Sequence, residues 1–203
     1  MSLKFSHDIE FLLKRSAAYP LTLAEILRIT AERGFGLTIG LLVLPFLFPM
    51  PPGLASILGS GCLLLGIQMA LGKRSPWLPR KIARFKFPRS LSQQLLKNAR
   101  RLMIWLEKIV RSRWQQVAAN PYTWRINGFC IAWLSILLML PIPFTNPVPT
   151  LTILLLTIAT LETDGLLIFV GYLLTLGNTI FFAFLGYALW KAPELVPNFL
   201  KFI

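Results

Sequence analysis

Hydrophobic residues fall in three long uncharged runs, separated by one long basic segment and one short acidic segment. Residues 34–72, 126–161 and 165–190 contain no Asp, Glu, Lys or Arg. A helix needs about 20 apolar residues to cross a bilayer. The first run has 39 residues, too many for one crossing and enough for two arms, whereas the 26 residues of the last run suit one tilted helix. This pattern predicts an all-α integral membrane protein.

Prolines break each of the first two runs near its middle. Because proline removes a backbone donor and clashes with the preceding turn, neither run can be one continuous helix. We therefore predict two proline-broken helical hairpins, over 34–72 and 126–161, and a final transmembrane helix at 162–190. A re-entrant first hairpin is the alternative to a full crossing, since its first arm of about 15 residues reaches only about 22 Å. The predicted breaks are Pro45, Pro51, Pro52 and Gly53 in the first hairpin, and Pro141, Pro147 and Pro149 in the second.

The two hairpins align with each other when the chain is shifted by 96 residues. Pro45 then falls on Pro141, and Pro51 falls on Pro147. Two prolines at one offset predict an internal repeat. Corresponding helix breaks in two halves point to a transporter-type site. The alternative is that the prolines only form the turns of two ordinary transmembrane hairpins.

The segments outside the uncharged runs are amphipathic. Residues 1–33 place apolar side chains at helical spacing but are too polar to span, so we predict interfacial helices there. Residues 73–125 hold 14 of the 21 Lys and Arg residues and a single acid, Glu107. Within this basic insert, residues 90–118 are predicted to form one amphipathic interfacial helix. Residues 191–203 are predicted to be a short interfacial tail.

The basic insert predicts contact with anionic headgroups on the cytoplasmic membrane face. Apolar segments flank the insert, and nothing in it resembles a groove-reading module, so we expect no nucleic acid partner. Lys and Arg clusters beside membrane segments attract anionic lipids, and they stay in the cytoplasm by the positive-inside rule. The cations assigned to this contact are Lys73, Arg74, Arg80, Lys81, Arg100 and Arg101.

Residues suited to metal, cofactor or covalent chemistry are scarce. The chain has one histidine, His7, and two cysteines, Cys62 and Cys130, which lie in apolar runs without CxxC spacing. None of the HExxH, GxSxG, phosphate-loop or dinucleotide motifs is present. We therefore predict no metal site and no cofactor, assign no catalytic residue, and favour a non-enzymatic role.

Two carboxylates stand out because acids are rare in the second half of the chain. Glu162 and Asp164 are the only acids between Glu107 and Glu194. An ionisable group inside a membrane is a candidate functional group, whereas the alternative is a turn at the headgroup boundary. We predict a polar pocket that binds an ion or a headgroup. Its members would be Arg33, Gln68, Asn146, Glu162 and Asp164; the 96-residue shift aligns Gln68 with Asp164.

Several motifs together resemble the ExoD family, over roughly residues 20–190. They are Glu32-Arg33-Gly34-Phe35-Gly36, Pro51-Pro52-Gly53, Gln68-Met69-Ala70-Leu71-Gly72, Pro76-Trp77-Leu78-Pro79-Arg80, Leu140-Pro141-Ile142-Pro143-Phe144 with Asn146 and Pro149, and Glu162-Thr163-Asp164-Gly165. ExoD-type proteins are associated with bacterial exopolysaccharide synthesis. The resemblance therefore implies that role, in the bacterial inner (cytoplasmic) membrane, and it supplies no mechanism.

Three functions stay open at this point. The chain is a transporter or carrier for an ion, a lipid or a lipid-linked precursor; a non-catalytic membrane partner of a polysaccharide assembly complex; or a membrane enzyme of the precursor pathway. Membrane lipids are the expected partners under all three. Polysaccharide assembly proteins or a second copy of the chain are the other partners considered.

The predicted topology can be tested at the centre of the basic insert. A cysteine introduced as Ser90→Cys should be protected from an impermeant thiol reagent in intact cells, because the positive-inside rule keeps this segment in the cytoplasm. It should react once the cells are permeabilised. The unsubstituted chain, with Cys62 and Cys130 in apolar runs, is the control. Labelling of intact cells would contradict the topology.

Overall fold

The computed structural model describes residues 34–47, 52–79, 110–111, 113–140 and 145–200. All regular structure in these ranges is helical, in agreement with the predicted all-α class. In chain order the helices are α1 (Gly34–Val43, continued by a 3-10 turn at Leu44–Leu47), α2 (Pro52–Ala70), α3 (Gln115–Ala118), α4 (Pro121–Met139), α5 (Pro147–Leu161) and α6 (Gly165–Leu200).

Prolines mark where the helices of the two apolar runs begin and end. Pro45 is buried in the 3-10 turn that ends the first arm. Helices α2, α4 and α5 each start at a proline: Pro52, Pro121 and Pro147. Proline suits the first helical position because the N–H that it lacks would have no partner there. The prolines thus interrupt each apolar run and also start the helix that follows.

The closest helix pair in the bundle is α2 with α4, which run antiparallel. A Cβ built at Gly66 would lie 2.6 Å from the backbone N of Ala132, and one built at Gly128 would meet the backbone of Met69 and Ala70. These glycines therefore let two backbones touch directly, as small residues do between membrane helices. The approach brings the end of α2 beside the start of α4.

Helix α1 packs against α5, and this contact completes the bundle. Gly36 faces the side chain of Leu161, and the Phe35 ring lies edge-on to Trp124 at 5.8 Å between centroids. The start of α1, the end of α2, the start of α4 and the end of α5 therefore lie at one end of the bundle. We call it the basic end, because the Lys and Arg residues of the described ranges, except Lys191, lie there: Lys73, Arg74, Arg111, Arg113 and Arg125.

Helix α6 runs along α5 and α4 and is fastened to them by polar side chains. Asn178 Nδ2 donates to Thr152 Oγ1 at 3.0 Å, and Trp133 Nε1 donates to Thr179 Oγ1 at 2.9 Å. Threonine hydroxyls in apolar helices can also donate to the carbonyl four residues earlier. Thr150, Thr152, Thr160, Thr175 and Thr179 all do so.

One helix among the described residues is long and apolar enough to cross a membrane. It is the stretch Gly165–Ala188 of α6, with 24 residues and a mean hydropathy of 2.0. The apolar helices at Phe35–Leu47, Ser56–Ala70 and Pro147–Leu161 are shorter, at 10–17 residues. Insertion of these shorter helices into the membrane remains a prediction.

The predicted amphipathic helix over 90–118 is wrong at its C-terminal end. Val110, Arg111 and Arg113 are not helical, and Trp114 has a left-handed φ of 50° directly before α3. The backbone here bonds to another part of the chain: Arg111 N–H donates to Asp164, and Arg113 O accepts from Gly165 N–H. Because these groups are used outside the segment, they cannot complete helical turns.

Helix α6 continues to Leu200, through Pro193 and Pro197. The interfacial position of the tail at 191–203 stays a prediction. Other predictions fall outside the described residues. These are the helices of 1–33, most of the 90–118 helix, and the residues Arg33, Pro51, Arg80, Lys81, Arg100, Arg101 and Pro141.

The α2–α4 contact predicts a strong effect of a small substitution. Gly128→Ala should destabilise the protein by about 1–3 kcal/mol, because the new methyl group meets backbone that cannot turn aside. Gly177→Ala in α6 is the matched control, since nothing lies within 4 Å of its Cβ position. Alanine there should leave stability unchanged or raise it by about 0.5–1 kcal/mol. Thermal unfolding in detergent measures both, and equal unfolding temperatures would contradict the close approach.

Candidate functional site

A cavity opens at the basic end, between α1, α2, α4 and α5. Its volume is about 210 Å³. Each of these four helices contributes to its wall, and so does the segment that follows α2. The lining residues are Phe35, Gly36, Ile39, Met69, Arg74, Trp124, Ile131, Thr157, Thr160 and Leu161. The cavity therefore depends on the bundle as a whole.

Trp124 holds a cation at the mouth of the cavity. The Arg74 guanidinium carbon lies 4.6 Å from the centre of the Trp124 ring, within the range of a cation–π contact. Trp124 Nε1 donates to Lys73 O at 3.2 Å, and Phe35 contacts its ring edge-on. A guanidinium held by its carbon over an aromatic ring still has N–H donors in its own plane, which can bind an anion.

The end of α2 turns the chain so that Arg74 reaches this position. Gly72 has a φ of 80°, which is readily adopted only by glycine. Its N–H donates to Met69 O at 2.8 Å, and Lys73 N–H donates to Gln68 O at 2.9 Å, which is the Schellman pattern. The Arg125 guanidinium packs against Gly72, 3.1 Å from where a Cβ would stand. A side chain at Gly72 would strain the backbone, because of its positive φ, and would crowd Arg125.

Hydroxyl groups line the inner part of the cavity, on α5. Thr160 Oγ1 donates to Leu156 O at 2.6 Å and accepts from Asn127 Nδ2 at 2.8 Å. Tyr172 in turn donates its hydroxyl to Asn127 Oδ1 at 2.6 Å. This chain of bonds joins α4, α5 and α6 and fixes the Thr160 hydroxyl. Thr157 Oγ1 is buried and has no hydrogen-bond partner in the described part of the chain.

Gln68, predicted as a pocket residue, holds the segment after α2. Its Nε2 donates to Trp77 O at 2.6 Å, and its Oε1 accepts from Trp77 N–H at 2.8 Å. Both ends of the amide are thus used by one backbone residue. Gln68 shapes the approach to the cavity without lining it.

Asp164, the other strong candidate, caps α6 and fastens the end of the basic insert. The side chain is buried, with 1% of its surface exposed. Its Oδ1 accepts from Leu167 N–H at 3.2 Å, and its Oδ2 accepts from Arg111 N–H at 2.9 Å. A carboxylate suits this position because the first N–H groups of a helix lack partners. Both oxygens are therefore engaged by backbone.

The structure does not bring Asn146 to the other candidates. Asn146 precedes α5 and Asp164 follows it, so the 15 residues of this helix separate them by about 22 Å. Asn146 Oδ1 is buried without a partner among the described residues. Glu162 is half-buried at the basic end, and it is not without an interaction partner. Of the four predicted pocket residues that the structure describes, Gln68, Glu162 and Asp164 lie at one end of the bundle and Asn146 lies at the other.

Among the residues that line the cavity, the sequence predicts a functional role for Arg74 alone, as a lipid-binding cation. Asn127 gave a usable signal, because an amide in a long uncharged run must find a partner when buried. Thr157 and Thr160 gave none, since threonine is common in apolar helices. Among the described residues, no group of three His, Cys, Asp or Glu side chains could hold a metal ion.

Comparison with known proteins identifies the family of the chain. The family described as "Exopolysaccharide synthesis, ExoD" matches residues 5–184. The chain belongs to the ExoD family. It is 33% identical to "Protein ExoD" of Rhizobium meliloti over 183 residues, which cover 88% of this chain and 76% of that protein. The ExoD family is involved in exopolysaccharide synthesis.

A second relative shows that similarity extends along nearly the whole chain. An uncharacterized protein of Synechocystis sp. is 25% identical over 193 residues, which cover 95% of this chain and 91% of that protein. No solved structure gives a significant match. The ExoD resemblance inferred from the sequence motifs is therefore confirmed, and the geometry of the cavity comes from this structure alone.

The hydrogen bonds of Asp164 predict a graded effect on stability. Asp164→Ala should destabilise the protein by about 2–3 kcal/mol, because two backbone donors lose a charged acceptor. Asp164→Asn should have an intermediate effect, since one amide oxygen can serve only one of the two sites well. Gln116→Ala, an exposed substitution in α3, is the control.

Thermal unfolding should rank the variants in the order wild type, Asn, Ala, with Gln116→Ala close to wild type. Exopolysaccharide output should follow the amount of folded protein. A fully stable Asp164→Asn protein without activity would instead support the predicted ion site.

Proposed function

We propose that this ExoD-family chain is a multi-pass protein of the bacterial inner membrane that carries a lipid or lipid-linked precursor in exopolysaccharide synthesis. The observation that carries the proposal is the cavity at the basic end. It combines an apolar wall, formed by residues such as Ile39 and Ile131, with an arginine at its mouth. A phospholipid has a matching arrangement, because its charged phosphate could bind the arginine and the carbon atoms next to the phosphate could contact the apolar wall.

The cavity favours a lipid over a free ion. Its lining residues include one cation, Arg74, and no carboxylate. The buried carboxylate of Asp164 uses both oxygens to bind backbone N–H groups. A cation site normally needs several oxygen ligands, whereas an anionic headgroup needs a cation and hydrogen-bond donors.

Exposed apolar side chains support a membrane environment for the helices around the cavity. Large apolar residues are exposed along α4, α5 and α6, far more than the scattered ones on soluble surfaces. They include Phe129, Trp133, Ile136, Leu151, Phe169, Leu173, Ile180 and Phe184. Helices α1 and α5 are short, so each hairpin pairs a short arm with a longer one, and this supports re-entrant insertion.

The contacts between helices also support an internal repeat. The 96-residue shift maps α1 onto the second half of α4, and α2 onto α5. The α2–α4 contact then corresponds to the α1–α5 contact, and both are present. Both hairpins open at the basic end, which the positive-inside rule assigns to the cytoplasm. In this proposal the carrier loads its ligand from the cytoplasmic leaflet.

A non-catalytic role in a polysaccharide assembly complex is the second candidate. It is favoured by four exposed cations at the basic end that do not line the cavity: Lys73, Arg111, Arg113 and Arg125. A partner protein would contact such residues directly. The two candidates therefore differ in which cation the function requires.

The proposal predicts that Arg74 is required and that Arg113 is not. Arg74→Gln should weaken binding of an anionic lipid about tenfold or more, because a charge-assisted hydrogen bond is lost. It should also lower exopolysaccharide output when expressed in a deletion strain. Arg113→Gln, with an exposed cation at the same end of the bundle, is the matched control for net charge.

Output is measured at equal protein level in the membrane fraction. Loss of output in Arg74→Gln with normal output in Arg113→Gln supports the carrier. The reverse pattern supports the assembly partner, and full output in both variants contradicts a role for the mouth of the cavity.

A further inference from the structure

The two ends of the cavity differ in chemistry. Arg74 stands at the mouth, against Trp124. Thr157 lies on α5 one helical turn before Leu161, about 6 Å further along the helix axis and away from the basic end. Apolar residues make up much of the remaining wall, among them Ile39, Met69 and Ile131.

The Thr157 hydroxyl is buried without a hydrogen bond to any residue that the structure describes and, unlike that of Thr38, lines the cavity. Thr150, Thr152, Thr160 and Thr175 donate to the carbonyl four residues earlier. Thr157 is 2% exposed, and its Oγ1 has no partner among the described residues although it lines the cavity. A buried hydroxyl without a hydrogen bond is costly and rare. Its donor and acceptor positions are therefore available to a bound molecule.

The neighbouring Thr160 restricts what that molecule can be. A hydroxyl has one donor and two acceptor positions. Thr160 gives its proton to Leu156 O and accepts from Asn127, so one acceptor position remains. Thr157 and Thr160 together offer one donor and spare acceptors. A ligand hydroxyl, which both donates and accepts, can use both kinds of position, whereas a phosphate oxygen, which only accepts, can use the donor alone.

We infer that the cavity takes a phosphate ester that carries a hydroxyl group, with the phosphate at Arg74 and the hydroxyl at Thr157 and Thr160. This inference rests on the proposed function and specifies its ligand. The volume of about 210 Å³ is below the range of about 300–1,000 Å³ that is usual for pockets that hold drug-sized ligands. A phosphoglycerol or a phosphate with part of a sugar fits that space, while an acyl chain must remain outside.

The test compares two lipids of equal charge in polyoxyethylene ether detergent. Dioleoyl phosphatidylglycerol carries headgroup hydroxyls, and dioleoyl phosphatidylethanol does not. The wild-type protein should bind phosphatidylglycerol about 3- to 10-fold more tightly, as expected for one net hydrogen bond. Thr157→Val removes the hydroxyl and should bind both lipids equally. Thr157→Ser should keep the preference.

Thr38→Val is the matched control, because Thr38 Oγ1 is also buried without a partner among the described residues but does not line the cavity. It should keep the wild-type preference. Neither valine variant should lower the unfolding temperature, since no intramolecular hydrogen bond is lost. Arg74→Gln should weaken both lipids alike. Competition by glycerol 3-phosphate would support a free ester as the source, and its failure would support the lipid headgroup.

The outcomes separate this inference from the proposed function. Equal binding of the two lipids by the wild type, or a preference retained in Thr157→Val, overturns the inference. The carrier proposal survives that result if both lipids still depend on Arg74. If Arg74→Gln leaves both affinities and exopolysaccharide output unchanged, the carrier proposal itself fails.

Discussion

Backbone contact between α2 and α4 sets the geometry of the rest of the bundle. Gly66 and Gly128 lie where the two backbones meet, so neither position accepts even a methyl group without movement. Because the helices are antiparallel, this contact fixes the end of α2 beside the start of α4. Arg74 and Trp124 extend from those two ends, and their stacking at the mouth of the cavity follows from the contact.

Polar groups in an apolar chain must find partners, and this requirement explains most of the side-chain geometry. Asn127 is fully buried but bonds to Thr160 and Tyr172. Asp164 bonds to two backbone N–H groups. Thr157 is an exception, and it lies in the wall of a cavity. An exception of this kind carries more functional information than a satisfied carboxylate.

The helical class could be predicted because it is a local property of the sequence. Apolar runs form helices, and Pro52 and Pro147 start helices as proline commonly does. The effect of a proline was less predictable, because Pro149 lies inside α5 and α6 continues past Pro193 and Pro197. The site could not be predicted, because it depends on which helices meet. Rarity made Asp164 look functional, yet one of its oxygens caps α6 and the other accepts from Arg111 N–H. Asn146 lies at the other end of α5. The prediction for the C-terminal end of the 90–118 helix was wrong for the same reason, because Arg111 N–H bonds to Asp164, which is distant in sequence.

Gln68 and Asp164 attach two distant points of the chain, Trp77 and Arg111, to the bundle through backbone hydrogen bonds. Both attachments use backbone groups of the attached residue, so they depend on Gln68 and Asp164 and not on the side chains at positions 77 and 111. Any residue except proline could donate its backbone N–H in the same way. Substitution at these two positions can therefore change the surface near the cavity without changing where the chain meets the bundle.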